Sequence, residues 1–315
     1  DDMAARRLQE ELKCFLGETV PILPSRELTL YDTAVVSRSW EHRRLQQLHA
    51  LASGQTRLQL LTWESLSIRT IPPETLKKAT FSLTVGEELP QNVLLDRLLC
   101  AGYTRCHMVE GPGQFAVRGD IVDIFSPASV QPVRAEFFGD ELDTMGYFDP
   151  ATQRRVANVD SVVILPVAET QPMLHPGGVA GLCRDITNLI SRQKHRKNPH
   201  EPLIKTLSQD YEKFSQGISH SAADRYMALI YPEMATAMDY IPGDAVIVLC
   251  DQSNVHRTAR SRTDEVSMGL DSMLQSGILC GELCDFVCQW EDFTEKLRNR
   301  CVVYVDAFAG SSYPT

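Results

Sequence analysis

The stretch GPGQFAVRGDIVDIFSPASVQPVRAEFFGDE, at residues 111–141, says most about how this chain folds. Two segments rich in valine, isoleucine and phenylalanine are bounded by glycine, proline and aspartate, which predicts β-strands joined by a short loop. Side chains alternate along a strand, so the residues expected on the core face are Val133, Ala135 and Phe137. The opposite face then carries Arg134, Glu136 and Phe138. A phenylalanine on an otherwise charged face needs a reason, and binding of a protein partner is one candidate.

Composition limits the class of protein. The 315 residues are enough for roughly two domains, and the net charge of -10 argues against a surface that binds nucleic acid throughout. A basic segment at residues 193–200 is interpreted as either a solvated loop or a local basic patch. No apolar run approaches the length of a membrane span, and the acidic start at Asp1 and Asp2 does not resemble a secretory signal. The chain lacks an initiator methionine, which favours a piece of a longer protein.

The nine cysteines suggest a reducing, cytoplasmic compartment, because their number is odd and the chain is too large to need disulfide bridges. The one cluster consists of Cys280, Cys284 and Cys288. This spacing predicts three thiols along one face of a helix. Packing in the core and metal binding are the two interpretations, and packing is favoured because no histidine or second cysteine cluster completes a zinc site.

Strand and helix patterns predict three consecutive regions. Helices at 1–16, 39–51 and 64–69 alternate with strand-like segments at 20–23 and 57–62, and Pro72-Pro73 then breaks the chain. The middle region is expected to have a helix at 92–100 and strands at 81–85, 105–109, 114–125, 133–138, 143–148 and 161–165. The last region is expected to have helices at 182–192, 205–214, 264–276 and 286–298, and strands at 245–250 and 302–305. The pattern predicts an antiparallel α+β domain inserted into a parallel α/β layer.

Residues 111–141, together with FDPATQR at 148–154, resemble a signature shared by two bacterial families of nucleotide excision repair. These are the UvrB proteins and the transcription-repair coupling factors (Mfd). The shared pattern is P-G-x-F-x-x-R-G-x-x-[IV]-D-[IL]-[FY], then an arginine strand ending in E-F-F, then F-D-x-x-[TS]-Q-R. The segments 72–74 and 101–103 also resemble the coupling factors.

Two features favour the coupling factors over UvrB. UvrB carries a tyrosine-rich DNA-clamping hairpin, whereas the corresponding stretch at 23–32 has one tyrosine and runs on to the helix at Trp40. UvrB also has an Asp-Glu pair where this chain has Asp251 and Gln252. Because Gln252 has no carboxylate to polarise the attacking water, the pair is interpreted as the remnant of a nucleotide site.

The resemblance implies a degenerate helicase-like layer of the P-loop NTPase type in an α/β fold. Its first part is expected at residues 1–78, the inserted UvrA-binding domain at 79–167 and the return segment at 168–315. It implies an adaptor that recruits UvrA to stalled RNA polymerase, without catalysis, metal or cofactor in this chain. RNA polymerase, double-stranded DNA and the ATP-driven motor belong to other parts of the full protein. The UvrA-binding surface of the inserted domain is expected to contact that protein's own carboxy-terminal domain as well.

The family's contact residues correspond to Arg118, Arg134 and Phe138. Glu136 shares their face and is expected either to hold Arg134 in place or to contact the partner directly. Arginine forks suit carboxylates, and an aromatic ring beside arginines is common at interfaces. The competing interpretation is that both arginines are solvated charges and that Phe138 packs on its own sheet. Asp120 replaces a second glycine after Gly119, and its carboxylate is expected to pair with Arg118 in the unbound state.

A helicase core is the alternative function. No G-x-x-x-x-G-K-[ST] phosphate loop occurs in the chain, but the family's loop lies upstream of the residue that matches Asp1. A UvrB-type ATP-dependent DNA helicase with its phosphate loop before residue 1 therefore remains open. ATP hydrolysis would favour this alternative, and UvrA capture without hydrolysis would favour the adaptor.

Overall fold

The computed structural model describes residues 1–32, 38–218 and 220–306 and shows a mixed α/β protein with one large sheet. Its α-helices are α1 (Asp2–Leu16), α2 (Ser39–Ala52), α3 (Trp63–Ser67), α4 (Pro73–Ala79), α5 (Gln91–Cys100), α6 (Gly178–Lys194), α7 (Glu201–Ser215), α8 (Met227–Ile230), α9 (Gln252–Ser276) and α10 (Trp290–Leu297). Its strands are β1 (Phe81–Thr84), β2 (Thr104–Arg105), β3 (Gln114–Arg118), β4 (Ile121–Phe125), β5 (Val133–Phe138), β6 (Glu141–Phe148), β7 (Arg155–Asn158), β8 (Ser161–Ile164), β9 (Val246–Cys250) and β10 (Cys301–Val305).

Strands β2 to β7 form one six-stranded sheet in sequence order. All neighbouring strands are antiparallel except β2, which is only two residues long and runs parallel to β3. One face of the sheet packs on α5, where Leu94 and Leu98 are buried with Phe115 and Val122. The antiparallel sheet with a helix on one face is thus observed. The edge strand β7, which the sequence patterns did not predict, adds a further strand.

The single strand predicted at 114–125 is wrong, because this segment folds into the β3–β4 hairpin. Gly119 has a φ of 60°, and Arg118 pairs with Ile121 across the turn. Glycine adopts a positive φ without strain, so Gly119-Asp120 reverses the chain in the middle of a continuous β pattern. The reversal brings Arg118 and Asp123 onto neighbouring strands.

Segments before residue 79 and after residue 168 share one core. Leu45 and Leu48 of α2 lie in the same buried cluster as Leu182 and Ile186 of α6. The six-stranded sheet has a separate cluster on its α5 side. The sheet therefore interrupts a unit to which two distant parts of the chain contribute.

The parallel layer is smaller than the sequence predicts. β9 and β10 pair in parallel, as their apolar runs indicate. The strands predicted at 20–23 and 57–62 reduce to one parallel bridge between Ile22 and Leu60. Pro21 and Pro24 lack backbone N–H groups, which prevents a regular ladder here. The described residues thus contain two strands of this layer rather than four.

Helix boundaries differ from expectation where a cap decides them. α9 begins at Gln252 rather than 264, because the Asp251 side chain accepts a hydrogen bond from the Asn254 backbone N–H at 3.2 Å. Pro73 begins α4 instead of only breaking the chain, since proline suits a first helical position. Of the helices in the described ranges, none combines the length and apolar character needed to cross a bilayer.

The cysteine cluster does not lie on one helical face, so that prediction is wrong. Residues 280–288 include only a short 3-10 turn, Gly281–Leu283. Cys280 and Cys288 are nevertheless buried in two hydrophobic clusters, and Cys284 packs against the first of them. These thiols therefore pack in the core, and burial raises the pKa of Cys280 to about 12.

His42 on α2 makes stability depend on pH. Burial, and then the charge of Arg38, lowers the pKa of His42 to about 4, below the value of about 6.5 expected in the unfolded chain. The folded protein therefore resists protonation at His42. Its contribution is fully present above pH 6.5 and is lost as the pH falls toward 4.

We expect His42→Gln to reduce this loss. Between pH 7 and pH 4, the free energy of unfolding of the variant should fall by up to about 3 kcal/mol less than that of wild type. Urea unfolding at several pH values measures the difference. Exposed His107 provides the matched control, and His107→Gln is expected to keep the wild-type profile. Parallel profiles for His42→Gln and wild type would contradict this role.

Candidate protein-docking face

The predicted contact residues lie on the sheet face that points away from α5. This surface, called here the docking face, includes Arg118 of β3, Asp123 of β4, and Arg134 and Glu136 of β5. Phe138 ends β5, just before a turn in which Gly139 has a φ of 64°. Strand alternation therefore places Arg134, Glu136 and Phe138 on the face opposite the core, as the sequence predicts. The contacts of each side chain then show its role.

Arg134 is held by a buried carboxylate. Asp123 lies directly opposite Arg134 in the β4–β5 ladder and is only 1% exposed. Arg134 donates from Nε to Asp123 Oδ1 at 2.7 Å and from Nη2 to Oδ2 at 2.9 Å. This fork-to-fork pair raises the pKa of Arg134 through its hydrogen bonds to Asp123. The bidentate edge of Arg134 that was predicted to bind a partner is therefore already bound to Asp123.

Arg118 converges on the same carboxylate. Its Nη2 donates to Asp123 Oδ2 at 2.8 Å and to Gln153 Oε1 at 3.2 Å. The predicted pair with Asp120 is wrong. The hairpin puts Asp120 in the turn and leaves Asp123 as the diagonal neighbour of Arg118 on the same face.

Glu136 has a different partner from the one expected. Its Oε1 accepts from Arg155 Nη2 of the edge strand at 3.3 Å, while Arg134 is bound to Asp123. Register explains the difference, because Glu136 lies opposite Thr144 and Arg134 lies opposite Asp123. Of the two roles open to Glu136 on this face, holding Arg134 in place or contacting the partner, the first is therefore wrong. Contact between Glu136 and a partner stays a prediction.

The sequence predicts one aromatic residue at the site, whereas the structure has two: Phe148 packs on Arg134 and Phe138 is exposed. The Arg134 guanidinium lies 4.5 Å from the ring centroid of Phe148, which is fully buried. A bulge shifts the β5–β6 register between Glu136 and Phe137. Phe138, which follows the bulge, is 81% exposed. Phe138 is thus not sealed in its own domain. It projects beyond the arginine pair rather than lying between the two guanidinium groups.

Sequence reasoning missed Asp123, Gln153 and Phe148 as members of the site. Asp123 stands within the apolar run IVDIF, and a carboxylate in a buried strand needs a partner, so the signal was present. Gln153 belongs to the quoted FDPATQR segment but lies 35 residues from Arg118 in sequence. No local pattern connects positions so far apart.

Asp251 and Gln252 lie at the carboxyl end of the parallel pair. Asp251 caps α9 with a φ of 54°, and its backbone N–H donates to the Val305 carbonyl at 2.8 Å. The Gln252 N–H donates to Asp306 Oδ1 at 3.0 Å. Both residues thus have structural roles at the start of α9. Within residues 1–32, 38–218 and 220–306, no group of three His, Cys, Asp or Glu side chains is arranged to hold a metal ion.

The middle region matches a known interaction module. Residues 81–169 match the family model of the UvrB interaction domain. This range covers the six-stranded sheet, α5 and the whole docking face. By its fold and its exposed face, the middle region is therefore similar to a protein-interaction domain.

The chain also resembles longer proteins over most of its length. It is 27% identical over 277 residues to a transcription-repair-coupling factor of Bacillus subtilis, which covers 87% of this chain and 23% of that protein. It is 26% identical over 310 residues to one of Staphylococcus aureus, which covers 97% of this chain and 26% of that protein. The chain is therefore similar to transcription-repair-coupling factors over most of its own length, and it spans about a quarter of theirs.

Proposed function

We propose that this chain is the adaptor module of a transcription-repair coupling factor and that its docking face binds UvrA. By presenting a surface like that of UvrB, it recruits UvrA to stalled RNA polymerase in transcription-coupled nucleotide excision repair. The module recognises its partner and catalyses no reaction. Phe138, Arg118, Arg134 and Glu136 make up the proposed binding site.

One observation carries the proposal. Inside the range that matches the UvrB interaction domain, the ring of Phe138 is 81% exposed. Ordered arginines occupy the same face, with Arg118 and Arg134 joined through Asp123. An exposed aromatic ring near oriented arginines is the composition of an interface hot spot. Burial of the ring and charge-assisted bonds of about 1.5–3 kcal/mol each support binding in the micromolar range.

The other partners follow from the proposed identity of the full protein. RNA polymerase and double-stranded DNA bind other parts of it, and a downstream motor uses ATP in the cytoplasm. The docking face also contacts the protein's own carboxy-terminal domain when UvrA is absent. The isolated chain is therefore expected to bind UvrA more tightly than the full protein does.

A nucleotide assay separates the adaptor from the helicase alternative. Under the proposal, the purified chain captures UvrA and releases no phosphate from ATP. Sustained hydrolysis by the chain alone would favour the helicase core instead.

Loss of the Arg118 side chain is expected to weaken UvrA binding by about 1.5 kcal/mol, or roughly tenfold, because its exposed charge meets the partner. Arg105→Ala is the matched control. Arg105 is exposed and pairs in register with Phe115. Paired residues share a face of the sheet, and Phe115 lies on the core side, so Arg105 is on the side opposite the docking face. Calorimetric titration of UvrA into both variants measures the difference. Equal affinities for Arg118→Ala and Arg105→Ala would remove Arg118 from the interface.

A further inference from the structure

The two arginines of the docking face differ in how many N–H donors remain free. A guanidinium carries five N–H donors. Arg134 uses Nε and Nη2 on Asp123, Nη2 again on Gln153 Oε1 at 3.0 Å, and Nη1 on the Gln153 carbonyl at 3.4 Å. One N–H of Arg134 is left for any other molecule.

Arg134 is also enclosed. Its side chain is only 19% exposed, and the buried ring of Phe148 covers one face of the guanidinium. A cation held over an aromatic face by two bonds to a carboxylate has little freedom to turn toward a partner. Arg134 therefore supports the face from within.

Arg118 presents the opposite case. Its side chain is 51% exposed, and only Nη2 has partners, Asp123 and Gln153. In the described parts of the chain, Nε and Nη1 of Arg118 have no hydrogen-bond partner, which leaves three N–H donors. Each bidentate edge of a guanidinium uses Nη2 together with Nε or Nη1. Because Nη2 is already engaged, Arg118 offers single bonds rather than a fork.

Gln153 is fixed so that its amide oxygen reaches both arginines. Its Nε2 donates to the Pro150 carbonyl at 2.8 Å, which turns Oε1 toward the guanidinium groups. The Asp149 side chain accepts from the Ala151 and Thr152 backbone N–H groups at 2.9 and 2.7 Å, and this closes the loop. Gln153 itself has a φ of 60°, an uncommon backbone state for a residue other than glycine.

We infer that Asp123 and Gln153 are positioning residues that divide the two arginines into a support and a contact. Arg134 is the support, and Arg118 is the contact that gives single charge-assisted hydrogen bonds to a carboxylate of the partner. The inference rests on the proposed UvrA docking and adds which side chains organise it. The more exposed arginine, Arg118, would ordinarily be expected to matter more for binding. Here the less exposed Arg134 is the harder one to replace by lysine.

Paired lysine substitutions test the division. Lysine carries the charge and gives single bonds but cannot form a fork or stack as arginine does. We expect Arg118→Lys to bind UvrA within about threefold of wild type and Arg134→Lys to bind about tenfold more weakly. A matching loss in Arg118→Lys and Arg118→Ala, with Arg134→Lys at wild-type affinity, would overturn the inference.

Nitrogen-15 NMR of the arginine side chains gives a readout that needs no UvrA. The Arg134 Nε–H, bonded to Asp123, is expected to exchange with water slowly, and the Arg118 Nε–H rapidly. Gln153→Asn shortens the side chain beyond reach of the guanidinium groups, while asparagine tolerates the positive φ. This variant should speed Arg134 exchange and weaken UvrA binding about threefold or more. Equal Nε–H exchange of both arginines in the wild-type chain would overturn the division.

The two readouts separate the two claims. If the wild-type chain does not bind UvrA, the proposed function fails. The arginine spectra still test whether Asp123 and Gln153 hold Arg134 more tightly than Arg118. If the chain binds UvrA and Gln153→Asn binds equally well, the positioning role fails alone. Urea unfolding of each variant shows whether the fold itself has changed.

Discussion

Glu169→Ala is expected to lower the free energy of unfolding by about 3–5 kcal/mol, because it leaves buried arginine charge without its carboxylate. Glu169 is fully buried at the end of the segment that matches the UvrB interaction domain, where the chain returns to the shared core. Its Oε1 lies 3.1 Å from Arg44 Nε, and its Oε2 lies 3.8 Å from Arg26 Nε. The Thr70 hydroxyl also donates to Oε2.

Arg44 makes the loss large. It is fully buried, and burial lowers its pKa, while Glu169 opposes that shift. Without Glu169, the hydrogen-bond partners that Arg44 keeps among the described residues are the Pro24 and Ser65 carbonyls, at 2.7 and 2.8 Å. Dipoles alone compensate a buried charge poorly.

Urea denaturation measures the effect, and Glu18→Ala serves as the matched control. Glu18 is exposed, so its removal is expected to stay within about 0.5 kcal/mol of wild type. Glu169→Gln keeps the shape without the charge and is expected to lose stability as well. A wild-type denaturation midpoint for Glu169→Ala would show that the buried cluster contributes nothing.

Phe138→Ala is expected to weaken UvrA binding by about 1.5–3 kcal/mol, or roughly 10- to 100-fold, because the ring would be buried by the partner. The same change should leave the unfolding free energy within about 0.5 kcal/mol of wild type, since the ring is 81% exposed in the free chain. Affinity and stability are therefore expected to separate. That separation distinguishes a contact residue from a structural one.

The chain contains a matched control for this deletion. Phe15 of α1 is 87% exposed and lies outside the segment that matches the UvrB interaction domain. Phe15→Ala removes the same atoms and should leave UvrA binding unchanged. If Phe138→Ala and Phe15→Ala bound UvrA with the same affinity in biolayer interferometry, Phe138 would have no role in docking.

Strand alternation was enough to predict which residues of β5 lie on the docking face. Because side chains in a strand alternate, the sequence alone placed Arg134, Glu136 and Phe138 on one side of β5. The partners of these residues depend on register. Register places Asp123 opposite Arg134 and leaves Glu136 to Arg155, and periodicity within one strand does not specify it.

The remaining errors have local causes. Gly119 reverses a β pattern that looks continuous, and Pro21 and Pro24 interrupt a segment that otherwise resembles a parallel strand. Gln153 acts from a loop that joins the site only through tertiary contacts. Patterns of apolar residues therefore predicted the antiparallel sheet and the exposed face of β5, while turn chemistry and distant contacts determined the rest of the site.

Calorimetric titration of UvrA into the wild-type chain and into the Arg118→Ala/Phe138→Ala double variant tests the docking face most directly. Both side chains are well exposed, so the double variant should unfold at the wild-type denaturant concentration. We expect saturable binding by the wild-type chain and no measurable heat from the double variant at the same concentrations. Equal isotherms, or no binding by the wild-type chain, would contradict the account.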